Sequence, residues 1–127
     1  MTDTRRSPEE QIQRTMVEWL NLCVPPPPEG PYWTAVNPVP AKSVAVAGVS
    51  KALGLKAGTP DFVFCIDGRF VGIEVKPPKK YLSSAQRDTH TAITLSKGLV
   101  FVARSVDELE GFLRGLGVPM RAVGAAA

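Results

Sequence analysis

Apolar residues recur every three or four positions in three stretches of the chain, and this spacing predicts three helices. The first, "SPEEQIQRTMVEWLNLC", has Ser7 as N-cap and Pro8 at the first helical position. The second, "LSSAQRDTHTAITLSKG", is capped by Ser83 or Ser84 and ends at a glycine. The third, "SVDELEGFLRGLG", begins at Ser105. The first and third stretches predict amphipathic helices with one buried side.

Runs rich in β-branched and aromatic residues predict strands between these helices. "YWTAVNPV" predicts a short strand, and "KSVAVAGVSKALGLKAG" a small helical segment followed by a glycine-rich loop. "DFVFCI" and "RFVGIEVK", joined by "DG", predict a β-hairpin with a type I′ turn. "LVFVAR" is continuously apolar, which favours a buried central or parallel strand. The order predicts an α/β fold with a mixed sheet between helices.

The hairpin turn sets the register of its two strands and thereby pairs two acidic residues. With Asp67 and Gly68 as the loop, Asp61 faces Glu74 on one side of the sheet. Lys76 lies two residues after Glu74 and points to the same side. Like charges placed opposite each other destabilise a sheet. This register therefore predicts a bound divalent cation, and Mg²⁺ suits the site because it takes carboxylate oxygens.

The alternative for these charges is an ordinary solvated sheet face with a weak surface pair, which is the usual meaning of an isolated E-x-K in a strand. Here the acidic pair coincides with a Pro-Asp start, a facing register and a downstream glutamine. That coincidence favours a functional site.

Composition and length are those of an ordinary globular protein. The 127 residues, 44% of them hydrophobic, predict a single domain over residues 1–127, with a core of about 7–116 and a flexible tail at 120–127. No apolar run is long enough for a membrane helix, and no signal peptide is apparent, so we expect a cytoplasmic protein. Cys23 and Cys65 are expected to be reduced core thiols. The net charge of +3 suits a polyanionic partner.

The charged motif resembles the PD-(D/E)xK nuclease superfamily, with "TPD" followed by "EVK". More narrowly, "GTPDFVF", "GIEVK" and "LSSAQ" resemble the VRR-NUC family, the virus-type replication-repair nucleases. "PEEQIQ" and "NPVPAKS" are similar to the upstream part of that family, so the likeness extends from Glu9 to about Leu113. The resemblance implies a restriction-endonuclease-like αβββαβ core, here with an extra C-terminal helix.

The resemblance also implies roles for individual residues in metal-dependent phosphodiester hydrolysis. Asp61 and Glu74 would bind the metal, Mg²⁺ or Mn²⁺, together with the backbone carbonyl of Val75. Lys76 would position or activate the attacking water. Gln86 would support the site from the second helix, where it shares one face with His90 and Ile93 at steps of four and three residues.

Glu9 corresponds to the family's acidic residue in the first helix. It lies three residues before Ile12, on the predicted buried stripe, whereas Glu10 is already accounted for by helix capping. Both acids also suit the positive end of the helix dipole, so Glu9 has two interpretations, a residue of the site or a favourable charge at the start of the helix. His90, the single histidine of the chain, is interpreted as packing and is not assigned to the site.

Several basic residues flank the predicted site in sequence and favour nucleic acid as the substrate. They are Lys42, Lys51, Lys56, Lys79, Lys80 and Arg87. The prolines of "KPPKK" stiffen the chain after the predicted strand, so its lysines are expected to face a phosphate backbone.

No dedicated base-reading module is present, which favours structure-specific cleavage. Stand-alone VRR-NUC members imply a phage or prophage protein, acting in the host cytoplasm on branched DNA such as four-way (Holliday) junctions, and pairing as a homodimer.

Two other functions fit parts of the sequence. One is a catalytically inactive nucleic-acid-binding scaffold of the same fold, although such a scaffold has no chemical reason to keep Asp61, Glu74, Lys76 and Gln86 together. The other is a metal-free interaction module whose polar strand face is a docking surface.

Overall fold

The computed structural model describes residues 6–36, 48 and 51–121, and these form one sheet with helices on both sides. The elements in chain order are α1 (Pro8–Cys23), β1 (Tyr32–Ala35), β2 (Phe62–Ile66), β3 (Arg69–Val75), α2 (Ser84–Leu95), β4 (Leu99–Ala103) and α3 (Val106–Gly115). This is the predicted αβββαβ order with an additional C-terminal helix, so the α/β fold class is confirmed. None of the helices in the described ranges is long and apolar enough to span a membrane.

The four strands lie in the order β1-β2-β3-β4. The first three are antiparallel neighbours, whereas β4 runs parallel to β3, with Val75 opposite Ala103. A parallel pair needs a crossover connection, and α2 supplies it. The prediction for "LVFVAR" is therefore right about parallel pairing, but the strand lies at an edge of the sheet and not at its centre.

The β2–β3 hairpin has the predicted turn and register. Asp67 (φ 52°) and Gly68 (φ 77°) both adopt positive φ, as a type I′ turn requires. The ladder starts with Ile66 opposite Arg69 and ends with Phe62 opposite Ile73. One step beyond the last pair, the same register sets Asp61 against Glu74.

The hydrophobic core lies on one face of the sheet, between the strands and the helices α1 and α3. Alternate side chains of β2 and β3 point into it together with one stripe from each helix. The largest of these residues are Met16, Leu20, Phe62, Phe64, Ile73, Leu109 and Leu113. The opposite face of β3 bears Gly72 and Glu74 and is covered by α2 and the loop before β2.

The cysteine expectation is half right. Both thiols are free, and Cys23 is buried, but Cys65 is exposed. Cys65 alternates with the buried Phe64 and Ile66 along β2, so its side chain points away from the core.

Parts of two other predicted segments lie outside the described residues. Residues 37–47 and 49–50 include most of the predicted helical segment after β1 and the end of the predicted first strand. Residues 122–127 include most of the predicted tail. At the start of that tail, Met120 packs against the core, and the Arg121 N–H donates a hydrogen bond to the Cys23 carbonyl at 2.6 Å.

The cap of α2 gives a first testable prediction. This helix buries no residue, so its start depends on Ser83, whose Oγ accepts the Gln86 N–H at 3.1 Å. We expect Ser83→Ala to cost about 1 kcal/mol of local stability and to speed amide exchange in α2 about fivefold. Hydrogen exchange measured residue by residue tests this. Ser105→Ala is the matched control, because Ser105 caps α3 in the same way and should leave exchange in α2 unchanged.

Candidate active site

Three carboxylates from separate elements meet at one end of the sheet. One oxygen from each of Glu9, Asp61 and Glu74 lies within 4.8 Å of the other two. Glu9 comes from the first turn of α1, Asp61 directly precedes β2, and Glu74 lies near the end of β3. The structure thus brings together the two acids predicted as a facing pair and the first-helix acid whose role the sequence leaves open.

Asp61 is anchored by both its backbone and its side chain. Its carbonyl accepts the Val36 N–H at 2.8 Å, which continues the β1–β2 pairing by one residue. Its Oδ2 accepts the Val75 N–H at 2.7 Å. This bond holds the carboxylate against the end of β3, beside Glu74.

The loop that delivers Asp61 packs closely against α2. Gly58 has φ +80°, and a Cβ at this position would collide with the Ala85 carbonyl in the first turn of the helix. Thr89 of the same helix donates its hydroxyl to the Ala57 carbonyl at 2.6 Å. Only glycine combines this positive φ with such a close approach. The glycine of the G-x-P-D motif therefore fixes the distance between Asp61 and the helix that contacts Glu74.

Glu74 is 1% exposed, and each of its oxygens has a partner on α2. Gln86 Nε2 lies 3.1 Å from Oε2, and His90 Nε2 lies 3.2 Å from Oε1. Gln86 Oε1 accepts the Ser83 N–H at 2.9 Å in a capping box. Because that bond occupies the amide oxygen, the amide nitrogen is the end that faces Glu74. Helix capping and support of the site thus use opposite ends of one side chain.

The electrostatics of the cluster oppose full ionisation. Burial, the charge of Asp61 and a hydrogen bond with Asp61 raise the pKa of Glu74 to about 9, from an ordinary 4.5. Burial and the charge of Asp61 also raise the pKa of Glu9. Burial lowers the pKa of His90, which favours the neutral imidazole. Without a cation, the site therefore retains a proton that the same acids would lose in water.

Lys76 is the positive charge of the site. It follows β3 directly, and its N–H donates to the Ala103 carbonyl at 3.2 Å, which extends the parallel pairing. Its ammonium lowers the pKa of Glu74 and of Glu9, although burial and Asp61 outweigh it in both cases. Lys76 thus lies near enough to act electrostatically on both acids, as the sequence register predicts.

The sequence interpretation missed one contact of the site. His90, interpreted as packing, lies against Glu74 with its side chain 12% exposed. The signal was its position four residues after Gln86, which sets both side chains on one helical face. A helix whose first turn reaches a buried carboxylate also directs its second turn toward it.

The donor set fits a hard divalent cation. Three carboxylates supply only oxygen, as Mg²⁺ and Mn²⁺ prefer, and no thiol belongs to the cluster. A cation among them would favour the ionised form of Glu74 and remove the repulsion that raises its pKa. The unfavourable charge arrangement is thus of the kind that metal binding relieves.

Comparison with known proteins bears on the fold. No protein-family model matches the chain, and no curated protein matches it in sequence. Among solved structures, the chain is similar to a VRR_NUC domain protein with a TM-score of 0.60 and 19% sequence identity, over 87% of this chain and 88% of that one. The resemblance read from the sequence is thus confirmed in three dimensions, and the chain has the fold of a VRR_NUC domain protein.

Proposed function

We propose that this protein is a Mg²⁺- or Mn²⁺-dependent DNA endonuclease that hydrolyses phosphodiester bonds in branched DNA. The observation that carries the proposal is the convergence of Glu9, Asp61 and Glu74 beside Lys76. The likeness of fold to a VRR_NUC domain protein supports the same reaction class. Neither a surface salt bridge nor a docking face requires a buried carboxylate that repels its neighbours.

Each residue of the cluster has a role in this proposal. Asp61, Glu74 and the Val75 carbonyl would hold the metal, which supplies a water of lowered pKa and a Lewis acid for the phosphoryl oxygen. Lys76 would orient the attacking water or offset charge that develops on the phosphoryl group. Glu9 would add a third carboxylate.

Two further side chains would hold one of these ligands in place. Gln86 and His90 each contact one oxygen of Glu74 and so fix the orientation of its carboxylate.

A nucleic-acid substrate suits the charges around the cluster. Lys79 and Lys80 are exposed and lie three and four residues after Lys76, and Arg87 is exposed on the first turn of α2. Phosphate contacts of this kind follow a backbone without reading its sequence. We further propose that the protein prefers branched substrates such as four-way junctions. It would act as a homodimer that presents two sites to two strands.

Cleavage assays test the proposal directly. We expect the purified protein to cut branched DNA with Mg²⁺ or Mn²⁺ and not with EDTA, and Asp61→Asn to reduce the rate at least about 100-fold through the loss of a metal ligand. Linear duplex, flap and four-way-junction substrates should be compared. Asp88→Asn, which alters an exposed acid of α2, is the matched control and should cut normally. If the folded wild-type protein binds DNA but cuts none of these substrates, it is a scaffold and the proposal is wrong.

The raised pKa of Glu74 predicts an unusual dependence of stability on pH. The folded metal-free protein keeps a proton up to about pH 9 that the unfolded chain releases near pH 4.5, so its stability should fall as pH rises between these values. The slope from this one group is at most about 1.4 kcal/mol per pH unit.

Urea unfolding in EDTA from pH 5 to 9 measures this slope. Glu74→Gln should flatten the curve, whereas Glu18→Gln, at an exposed position of α1, should not. Added Mn²⁺ should stabilise the wild type more at pH 8 than at pH 6, because the metal competes with the proton. Equal stabilisation at both values would contradict a role for Glu74 as a ligand.

Lys76 is expected to act on the reaction and not on metal binding. Lys76→Ala should reduce cleavage about 100- to 1,000-fold, because it removes a charge directed at the transition state. Calorimetric titration with Mn²⁺ should give an affinity close to that of the wild type. A mutant that cuts DNA at the normal rate would remove Lys76 from the mechanism.

A further inference from the structure

The segment between Lys76 and the cap of α2 connects two parts of the candidate site. We call residues 77–82 the basic loop, because Lys79 and Lys80 lie within it. Lys76 precedes it, and Gln86 lies in the first turn of the helix that follows. The loop therefore connects two elements that contribute to the candidate site.

Arg104 fixes the basic loop in place. Its Nη1 donates to the Pro77 carbonyl at 2.7 Å and to the Lys80 carbonyl at 2.8 Å. Within the loop, the Lys80 N–H donates to the Pro77 carbonyl at 3.2 Å, which closes a turn. A guanidinium that bridges two carbonyls reduces the freedom of the chain between them. The loop is thus ordered before it meets a ligand, and a ligand would not have to pay for its ordering.

The basic loop contains an unusually exposed aromatic ring. Tyr81 is 86% exposed, a larger fraction than for any other large apolar side chain in the described ranges. Its sequence neighbour Lys80 is also exposed, and the two prolines that begin the loop restrict its backbone. An exposed ring next to lysines, on a backbone of restricted freedom, has the composition of a platform on which nucleobases stack.

Chain length limits how far this ring can lie from the site. Tyr81 is five residues after Lys76 and five before Gln86. Five residues span at most about 18 Å, and successive nucleotides of a duplex strand are about 3.4 Å apart along the axis. The Cα of Tyr81 therefore lies within about 18 Å of the Cα of Lys76, a distance of about five base-pair steps.

We infer that Tyr81 stacks on a nucleobase whose face is uncovered at a branch, gap or flap, and so directs the proposed nuclease to such DNA. The effect of Tyr81 on cleavage rests on the proposed function, whereas the stacking itself is a binding event that can be measured without cleavage. In a continuous duplex, each base is covered by its neighbours, so the ring gains little there. At an interruption a base face is free, and stacking on an aromatic side chain is then favourable and tolerant of sequence.

Binding measured in EDTA separates this contact from cleavage. We compare a duplex that contains a three-nucleotide gap with the continuous duplex of the same sequence, by fluorescence anisotropy. Tyr81→Ala should weaken binding to the gapped DNA by about 5- to 100-fold and change binding to the continuous duplex by less than about twofold. Tyr81→Phe should behave as the wild type, because the ring performs the stacking.

A matched control and a direct readout sharpen the test. Tyr32 is 62% exposed but pairs with Cys65, at the end of β2 far from Asp61, so Tyr32→Ala should leave both affinities unchanged. A 2-aminopurine base in the gap should lose fluorescence on binding the wild type and Tyr81→Phe, but not on binding Tyr81→Ala. Circular dichroism of each variant establishes that it is folded.

Three outcomes would overturn the inference. Tyr81→Ala could bind both DNAs as the wild type does, it could weaken both equally, or it could alter only the self-association of the protein in sedimentation. The last outcome would make Tyr81 a protein contact. A wild-type protein that prefers gapped DNA through Tyr81 but never cuts it would support the inference and reject the proposed nuclease activity, so the two failures are distinguishable.

Discussion

The buried carboxyl of Glu74 is the constraint on which the rest of the site depends. A carboxylate that is 1% exposed and adjacent to Asp61 is unfavourable unless its charge is neutralised or its oxygens are bound. In the metal-free protein both conditions hold. The pKa of Glu74 is raised to about 9, so its carboxyl keeps a proton, and both of its oxygens have partners on α2. The surrounding elements are arranged around this one side chain.

The two faces of β3 explain how the sheet tolerates that carboxyl. Val71, Ile73 and Val75 point into the core, while Glu74 alternates to the opposite face. A shift of the register by one residue would exchange the faces and bury the charge among apolar side chains, which is prohibitively costly. The same turn that fixes the hydrophobic core thus also fixes the acidic pair.

The sequence predicts what depends on short-range rules. The Asp67-Gly68 turn determines which residues face each other across β2 and β3, so the proximity of Asp61 and Glu74 follows from counting. Ser7, Ser105 and the pair Ser83 and Ser84 predict the three helix starts, and Ser7, Ser83 and Ser105 act as the N-caps. In these cases the determining interaction lies within a few residues of the pattern that predicts it.

Short-range rules do not predict features that depend on packing between distant parts of the chain. The edge position of β4 depends on which side of β3 it joins, and its apolar sequence is equally compatible with a central strand. The approach of Glu9 to Asp61 and Glu74 depends on how α1 lies across the sheet. The contact of His90 with Glu74 depends on how α2 packs against the sheet. Helical periodicity predicts which face of a helix points inward, but it does not predict which residues of a neighbouring element that face contacts.

The helix α2 joins the stability of the fold to the candidate site. This helix buries no residue, and its connections to the rest of the molecule include the two contacts on Glu74 and the bond from Thr89 to Ala57. A change in the charge of Glu74 therefore alters the attachment of the helix as well as the charge of the acidic cluster. Conversely, opening of α2 would expose Glu74 to water and remove the desolvation that raises its pKa. Proton binding and docking of the helix are thus thermodynamically linked through a single carboxyl group, and the proposed binding of a cation would be linked to both.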